Sequence, residues 1–344
     1  MAESVSLLDD KSGNSFTSEV NKIGIVLATY NPNIEYLQKQ LTSIRRQTWS
    51  DWVCYVVDDA SEPAIQEQIR HLCSDDDLFQ CYFHEQNLGS YYNFERGLQY
   101  CARDETIRAI AFADQDDIWQ PEKLEILFQT LQTQQALLVH SDLSVIDEQD
   151  CLVHPSCWHY EGRNPQKLSP DLLLLRNCVT GCSLLFRPTL LSLVLPFPKQ
   201  SRVDWHHDLW VALAAATLGK IAHVDRPLVQ YRLHGSNVLG ATKDAGKLHQ
   251  ELWVWFQKKC RITGRSYLIH RDLSQAFYQR FQTYLPPDWR NPFCDRPLDF
   301  GWRILMLGLC SVRSGYGSEG LTLRLLTLKI LFDLKRIRQI WRHG

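Results

Sequence analysis

The chain has 344 residues with 37 Lys and Arg against 39 Asp and Glu, and a formal net charge of −2 gives no global attraction to nucleic acid or to acidic partners. With 44% hydrophobic and 22% charged residues it is not a disordered chain, and it is long enough to bury one large core or two smaller ones. The cysteine count of 11 is odd, has no C-x-x-C pair (the closest are Cys178 and Cys182) and so argues against a disulfide framework or zinc site and for a reducing, cytoplasmic compartment.

Residues 1–21 are polar and aperiodic, which predicts a flexible tail, and their acidic start is unlike a signal peptide. No apolar run approaches the ~18 residues of a membrane span; the longest, Ile304 to Cys310, is far too short. Ile23 to Ala28, Val53 to Val57, Phe79 to Phe83, Ala109 to Ala113 and Ala136 to Val139 are short apolar runs that read as buried strands. Between them, apolar residues recur at helical spacing: Leu37, Leu41 and Ile44; Ile65, Ile69 and Leu72; Phe94, Leu98 and Cys101; Leu124, Leu127, Phe128 and Leu131. Strand alternating with helix predicts an α/β fold, a mostly parallel sheet with helices on both faces. After residue 145 the pattern loosens. His154 to Pro170 reads as a long loop, Cys178 to Phe186 as a turn and strand, and Trp205 to Leu218 opens and continues a helix that Gly219 stops. Ile221 to Val224 and Leu228 to Tyr231 read as two further strands, and the chain beyond about 240 looks helical.

Polar clusters follow three of the strands: Thr29-Tyr30-Asn31, Asp58-Asp59 and Asp114-Gln115-Asp116-Asp117. In a parallel sheet these ends share one edge, where open α/β folds bind ligands. Three carboxylates in four positions repel one another unless a cation neutralises them. A divalent metal holding a phosphate-bearing substrate would do so. Taken alone, the stretch reads equally well as an acidic turn, with Asp117 capping a helix that starts near Pro121. No G-x-G-x-x-G follows the first strand, and the stretch from Gly240 to Lys247 misses a phosphate-binding loop by one residue and by Leu248. Phosphate charge therefore has to be met by carboxylates and metal.

The series Ala28-Thr-Tyr-Asn-Pro32, Val57-Asp-Asp-Ala-Ser61, Asn87-Leu-Gly89, Asn93-Phe-Glu-Arg-Gly97, Asp114-Gln-Asp-Asp-Ile-Trp119, Val179-Thr-Gly181, His207-Asp-Leu-Trp210 and Tyr231-Arg-Leu-His-Gly-Ser-Asn237 resembles a family 2 glycosyltransferase of the GT-A fold over residues 22–238. The nearest likeness is to bacterial enzymes of surface-polysaccharide synthesis, rhamnosyltransferases among them. The resemblance implies a D-x-D motif, with Asp116 on Mg²⁺ or Mn²⁺ and Asp114 on metal or ribose, and allows His234 as a third metal contact. It implies that Thr29, Tyr30, Asn31, Asp58, Asp59, Asn87 and Gly89 shape the site of a nucleoside-diphosphate sugar. Asp208 becomes the base that deprotonates a saccharide or lipid-linked acceptor, with His207 orienting it. Where the family commonly has Gly and Glu, this chain has Ala60 and His207.

The implied organisation is a tail over 1–21, a catalytic domain over 22–238 and a helical region over 239–344. From Leu323 onward, apolar residues at steps of three and four share a stretch with six Lys and Arg and the single acid Asp333. That pattern suits a helix lying on an anionic membrane surface, and equally a helix packed on the protein. Two other functions compete. A sugar nucleotidyltransferase would need a Gly-rich basic loop where Thr29 to Pro32 stands; a silent nucleotide-sugar or glycan-binding module would have no use for Asp114, Asp116 and Asp208.

Overall fold

The computed structural model describes residues 21–166, 168–200, 205–234, 263–293 and 302–313. The tail over 1–20, the boundary near 238 and the basic stretch from Leu323 lie outside the described residues. Four strands form the first half: β1 (Lys22–Thr29), β2 (Trp52–Asp58), β3 (Phe79–Phe83) and β4 (Ile107–Ala113). Helices α1 (Ile34–Arg45), α2 (Pro63–Cys73) and α3 (Ser90–Cys101) connect them, and every pairing among these strands is parallel. The expectation from alternation holds there. The second half adds β5 (Ile118–Trp119), α4 (Lys123–Thr133), β6 (Leu138–Ile146), β7 (Leu152–His154), α5 (Cys157–Glu161), α6 (Pro170–Leu175), β8 (Leu184–Phe186), α7 (Leu191–Val194), α8 (His207–Leu218) and β9 (Ile221–Arg232). The sheet runs β3-β2-β1-β4-β8-β6-β9-β5, with β7 beside β6. Three-residue β8 is antiparallel to both β4 and β6, while the long β6–β9 ladder is parallel.

Strand alternation divides the core between the two faces. Val26 and Phe112 face a cluster with Phe94 of α3, Leu172 to Leu175 of α6, Trp210 of α8, and Phe277 and Phe281 of the helix Thr263–Phe281. Ile25, Leu27, Ala111 and Ala113 face the other cluster with Leu37 and Leu41 of α1, Ile69 of α2, and Leu124 and Leu127 of α4. Covered on both sides, the strands have no use for polar alternation, which is why they read as continuous apolar runs. Helix α3 approaches β1 closely at Gly97, where an added Cβ would stand 2.1 Å from Val26 Cγ1. Gly97→Ala is therefore expected to cost about 1–3 kcal/mol by overpacking, read as a lower thermal midpoint, while fixing a helical residue's backbone recovers too little to offset it.

The second half departs from the sequence reading in four places. Strand β6 does not stop at His140-Ser141-Asp142 but continues to Ile146. Asp142 is satisfied within it, accepting from Ser156 Oγ at 2.5 Å and Trp158 N at 3.1 Å. The two strands expected at 221–224 and 228–231 are one, β9, whose register against β6 shifts near Pro227 instead of breaking. The long loop at 154–170 contains α5, capped by Ser156 and ended by Gly162 at φ 61°. Gly219 does end α8, but with an extended φ of −178°, so close contact with Leu137, not a left-handed turn, favours glycine there.

Candidate active site

Parallel β1, β2, β3 and β4 bring Thr29, Asp58, the 84–89 loop and Asp114 to one sheet edge, as their order predicts. Asp58 is fully buried and accepts from Thr29 Oγ1 at 2.9 Å, Ser61 N at 2.9 Å, Ser61 Oγ at 2.5 Å and Gln66 Nε2 at 3.1 Å. Asp59 accepts from Leu88 N at 3.0 Å and Gly89 N at 2.7 Å and pairs with Arg96 at 3.0 Å. Asp58 thus ties the first loop to the start of α2, and Asp59 ties the third loop to α3. Gly89 stands at φ 82°, a left-handed geometry that glycine takes without strain, and Asn87 Oδ1 accepts from its N–H at 3.1 Å. Asn31 closes the first loop: its N–H donates to Ser61 Oγ at 2.7 Å and its Oδ1 accepts from Glu62 N at 2.9 Å. The Tyr30 ring is half exposed over this edge. Its backbone is clamped by the Gln115 amide, which accepts from Tyr30 N at 2.8 Å and donates to Tyr30 O at 3.3 Å.

The carboxylates after β4 divide into two groups. Asp116 Oδ2 lies 2.7 Å from His234 Nε2, and this hydrogen bond raises the imidazole above its usual value. Burial, then the charges of Asp117, Asp116 and Asp208, push the Asp114 carboxyl well above the usual carboxylate range. Asp117 is fully buried; burial and then Asp116 push it up to about 7. One Asp117 oxygen accepts from Arg232 N at 3.2 Å, and the other has no hydrogen-bond partner among the described residues. Asp117 does not cap α4, which starts at Lys123 after Glu122 and has no side-chain cap. Beneath this group lies Lys123, fully buried, its Nζ donating to the Cys182 carbonyl at 2.7 Å and centred 3.0 Å over the Trp119 ring. Burial outweighs the pull of Cys182, Asp117 and Asp114 and holds its pKa well below the usual lysine range. Arg232 is a buttress: its Nε donates to Asp116 O at 2.9 Å, and its guanidinium pairs with Asp150 and covers Tyr36.

Asp208 stands in the first turn of α8, where the helix dipole favours negative charge. Its carboxylate accepts from Gly181 N at 3.0 Å, Asn177 Nδ2 at 3.2 Å and Leu209 N at 2.6 Å. Burial raises its pKa against the opposing pull of His206, Leu209 N–H, Arg163 and Gly181 N–H. Gly181, which holds it, precedes Cys182, and one ligand atom each of Cys182, Asp114 and Asp117 lie within 4.8 Å of one another. His207 does not orient it. The imidazole is stacked on Phe94 at 3.6 Å and set edge-on to Phe112 at 4.8 Å, and neither ring nitrogen has a hydrogen-bond partner among the described residues. Burial keeps it neutral by pulling its pKa far down. The orienting role belongs to Asn177 and Gly181. Neither residue was singled out in the sequence, although Gly181 closes the Val-Thr-Gly motif.

A divalent cation fits Asp116 and His234 by chemistry: a carboxylate oxygen and an imidazole nitrogen already converge, and the hydrogen between them is what a cation replaces. Asp114, Asp117 and Cys182 also bring one ligand atom each within 4.8 Å of one another. No helix among the described residues is long and apolar enough to cross a membrane.

The sequence model for glycosyl transferase family 2 matches residues 24–191. An uncharacterized glycosyltransferase of Nostoc sp. is 29% identical over 63% of this chain and 66% of its own length, so the match stops short of two thirds of that relative. The UDP-Glc:alpha-D-GlcNAc-diphosphoundecaprenol beta-1,3-glucosyltransferase WfgD of Escherichia coli is 23% identical over 56% of this chain and 69% of its own. The crystal structure of S. aureus TarS 1-349 in complex with UDP-GlcNAc shares the fold, with a TM-score of 0.53 at 13% identity over 88% of this chain and 90% of that one. The parallel sheet edge and the carboxylates after its fourth strand agree with that match: over residues 24–191 the chain is similar to glycosyl transferase family 2.

Proposed function

We propose that the chain is an inverting glycosyltransferase that moves a sugar from a nucleoside-diphosphate donor, in the first instance a UDP-sugar, to a hydroxyl of a saccharide or lipid-linked acceptor. Bacterial surface-polysaccharide synthesis on the cytoplasmic face of the membrane is the setting. The observation that carries this reading is that Asp208 is held by Gly181 N–H, one residue before Cys182, which shares a group of ligand atoms within 4.8 Å with Asp114 and Asp117 at the C-terminal edge of the sheet. The reaction named for the Escherichia coli relative and the ligand of the TarS complex support a UDP-sugar as donor.

In this reading the Asp208 carboxylate takes the proton of the acceptor hydroxyl as its oxygen attacks the anomeric carbon. The bond from that carbon to the diphosphate oxygen breaks on the opposite face, and configuration inverts. Asp116, His234 and Asp114 would hold a divalent cation, which would supply positive charge to the leaving diphosphate. Asn177 and Gly181 fix the base, so that only small motions separate the resting carboxylate from its working position. Thr29, Tyr30, Asn31, Asp58, Asp59, Asn87 and Gly89 shape the nucleotide wall, with Gln115 joining that wall to the cation segment.

A panel of UDP-glucose, UDP-N-acetylglucosamine and dTDP-rhamnose with Mn²⁺ or Mg²⁺ tests the proposal. Release of nucleoside diphosphate from at least one donor is expected, and EDTA should stop it. No binding and no turnover with any donor would sink the reading. Pyrophosphate release from a nucleoside triphosphate and a sugar phosphate would replace it with nucleotidyl transfer.

A further inference from the structure

We propose that Arg163 and Arg176 are positioning residues for the base and that α5 is the strut through which they act; the inference rests on the glycosyltransferase reading given above. Among the described residues, the donors that reach Asp208 from outside its own helix are Asn177 Nδ2 and Gly181 N–H. Asn177 lies on the connection that follows α6, residues 176–180, and Gly181 opens the 3-10 turn Gly181–Ser183. Such a connection has neither ladder nor helix to fix it. Inside it, Val179 N donates to Asn177 Oδ1 at 3.0 Å, which orients the amide but does not anchor the segment.

The two arginines anchor it, one at each end. Arg176, beside Asn177, donates from Nη2 to Glu161 O at 2.6 Å and from Nη1 to Gly162 O at 3.1 Å. Arg163 donates from Nη1 to Oγ1 of Thr180, the residue before Gly181, at 3.2 Å, and its guanidinium pairs with Glu161. Both therefore tie the connection to the C-terminal end of α5. A helix end leaves carbonyls open there, their partial charge suits a cation, and the planar fork of arginine can meet two at once. The other end of α5 is tied to the sheet, where Asp142 of β6 accepts from Ser156 Oγ at 2.5 Å and Trp158 N at 3.1 Å. The path is continuous: Asp142, α5, the two guanidinium groups, Asn177 and Gly181, Asp208. The base is thereby referred to the central sheet and not to a loose connection.

The test compares wild type, Arg176→Met, Thr180→Val and each of these added to Asp208→Asn. Thr180→Val keeps the shape of the side chain and removes the acceptor of Arg163; the hydroxyl does not cap its own turn, so this variant carries the comparison should Arg176→Met not fold. Each protein is measured for UDP binding with Mn²⁺ by calorimetry, for kcat and KM with the donor that the panel identifies, and for amide hydrogen exchange by NMR. Arg176→Met should lose about 30-fold or more in kcat and Thr180→Val about fivefold, with UDP–Mn²⁺ affinity kept within about threefold, because misplacement of reacting groups by about 1 Å costs on the order of 10²-fold. Added to Asp208→Asn, neither should lower the residual rate further, since the arginines act through the carboxylate. Exchange of Gly181 N–H should quicken by about tenfold or more in Arg176→Met, while that of Ile25 N–H in β1 stays as in the wild type. Merely structural arginines would quicken both amides together and would lower the Asp208→Asn rate by the same factor as the wild-type rate. Either result overturns the proposal, as do folded variants with wild-type kcat. Failure of the wild type to bind UDP–Mn²⁺ would count against the proposed function, whereas exchange at Gly181 would still decide whether the arginines hold the turn.

Discussion

Asp208→Asn is expected to leave UDP binding within a few-fold of wild type and to lower kcat by about 10²–10⁴-fold, the range lost with a positioned general base. The substitution preserves shape, and the amide oxygen can still accept from Asn177 Nδ2 and Leu209 N–H, which meet the same carboxylate oxygen. Its NH₂ group must then face Gly181 N–H, so one hydrogen bond of the three is lost, about 1 kcal/mol. Against that, removing the charge relieves its repulsion with Asp114. Stability should therefore change little, and a loss of turnover cannot be ascribed to unfolding. The pH profile supplies a second reading. Burial raises the Asp208 pKa, so the wild-type acid limb should sit above the ordinary carboxylate range. Activity falls as pH drops through that pKa, because protonation removes the base. In Asp208→Asn this limb should vanish from the residual rate. Near-normal kcat, or an unchanged acid limb, would move the base elsewhere.

Much of this site was legible because the topology is local. Strand and helix alternate from Lys22 to Thr133, so each polar cluster after a strand had to reach the same edge, and the ladders confirm the geometry. Beyond β4 the order of strands in the sheet leaves the order in the chain. Three-residue β8 inserts between β4 and β6, and no periodicity in so short a run announces it. Strand β6 carries His140, Ser141 and Asp142 in its interior, which reads as an ending until the bonds from Ser156 and Trp158 are seen. The same limit hides Lys123. A lysine near the start of a helix looks solvated, and only the fold shows Trp119 and Cys182 enclosing it. His207 erred the other way. Adjacent to the base in sequence, it turns into the aromatic core, because consecutive residues on a helix lie on different faces.

Asp116→Asn is the second substitution with a large expected effect. A metal ion acting as a Lewis acid contributes several kcal/mol, and at about 1.4 kcal/mol per factor of ten its loss should lower kcat/KM by about 10³-fold or more. Mn²⁺-dependent UDP binding should weaken together with turnover, which separates this variant from Asp208→Asn, where binding survives. His234 provides a readout that needs no donor. Its bond to Asp116 lifts the imidazole above 6.5, so in the wild type Mn²⁺ must displace a proton from His234 at a higher pH than an isolated imidazole would require. Protonated His234 repels the cation, so activation by Mn²⁺ should weaken as pH falls through that raised value. In Asp116→Asn the carboxylate charge is gone and the His234 titration, followed by NMR, should move down toward 6.5. A variant that keeps wild-type turnover and remains sensitive to EDTA would take the cation away from Asp116. Asp114 would then be the leading oxygen ligand, since Asp117 is fully buried and already bound to Arg232 N–H. The Asp116–His234 pair would be left as a structural contact between the end of β9 and the cation segment.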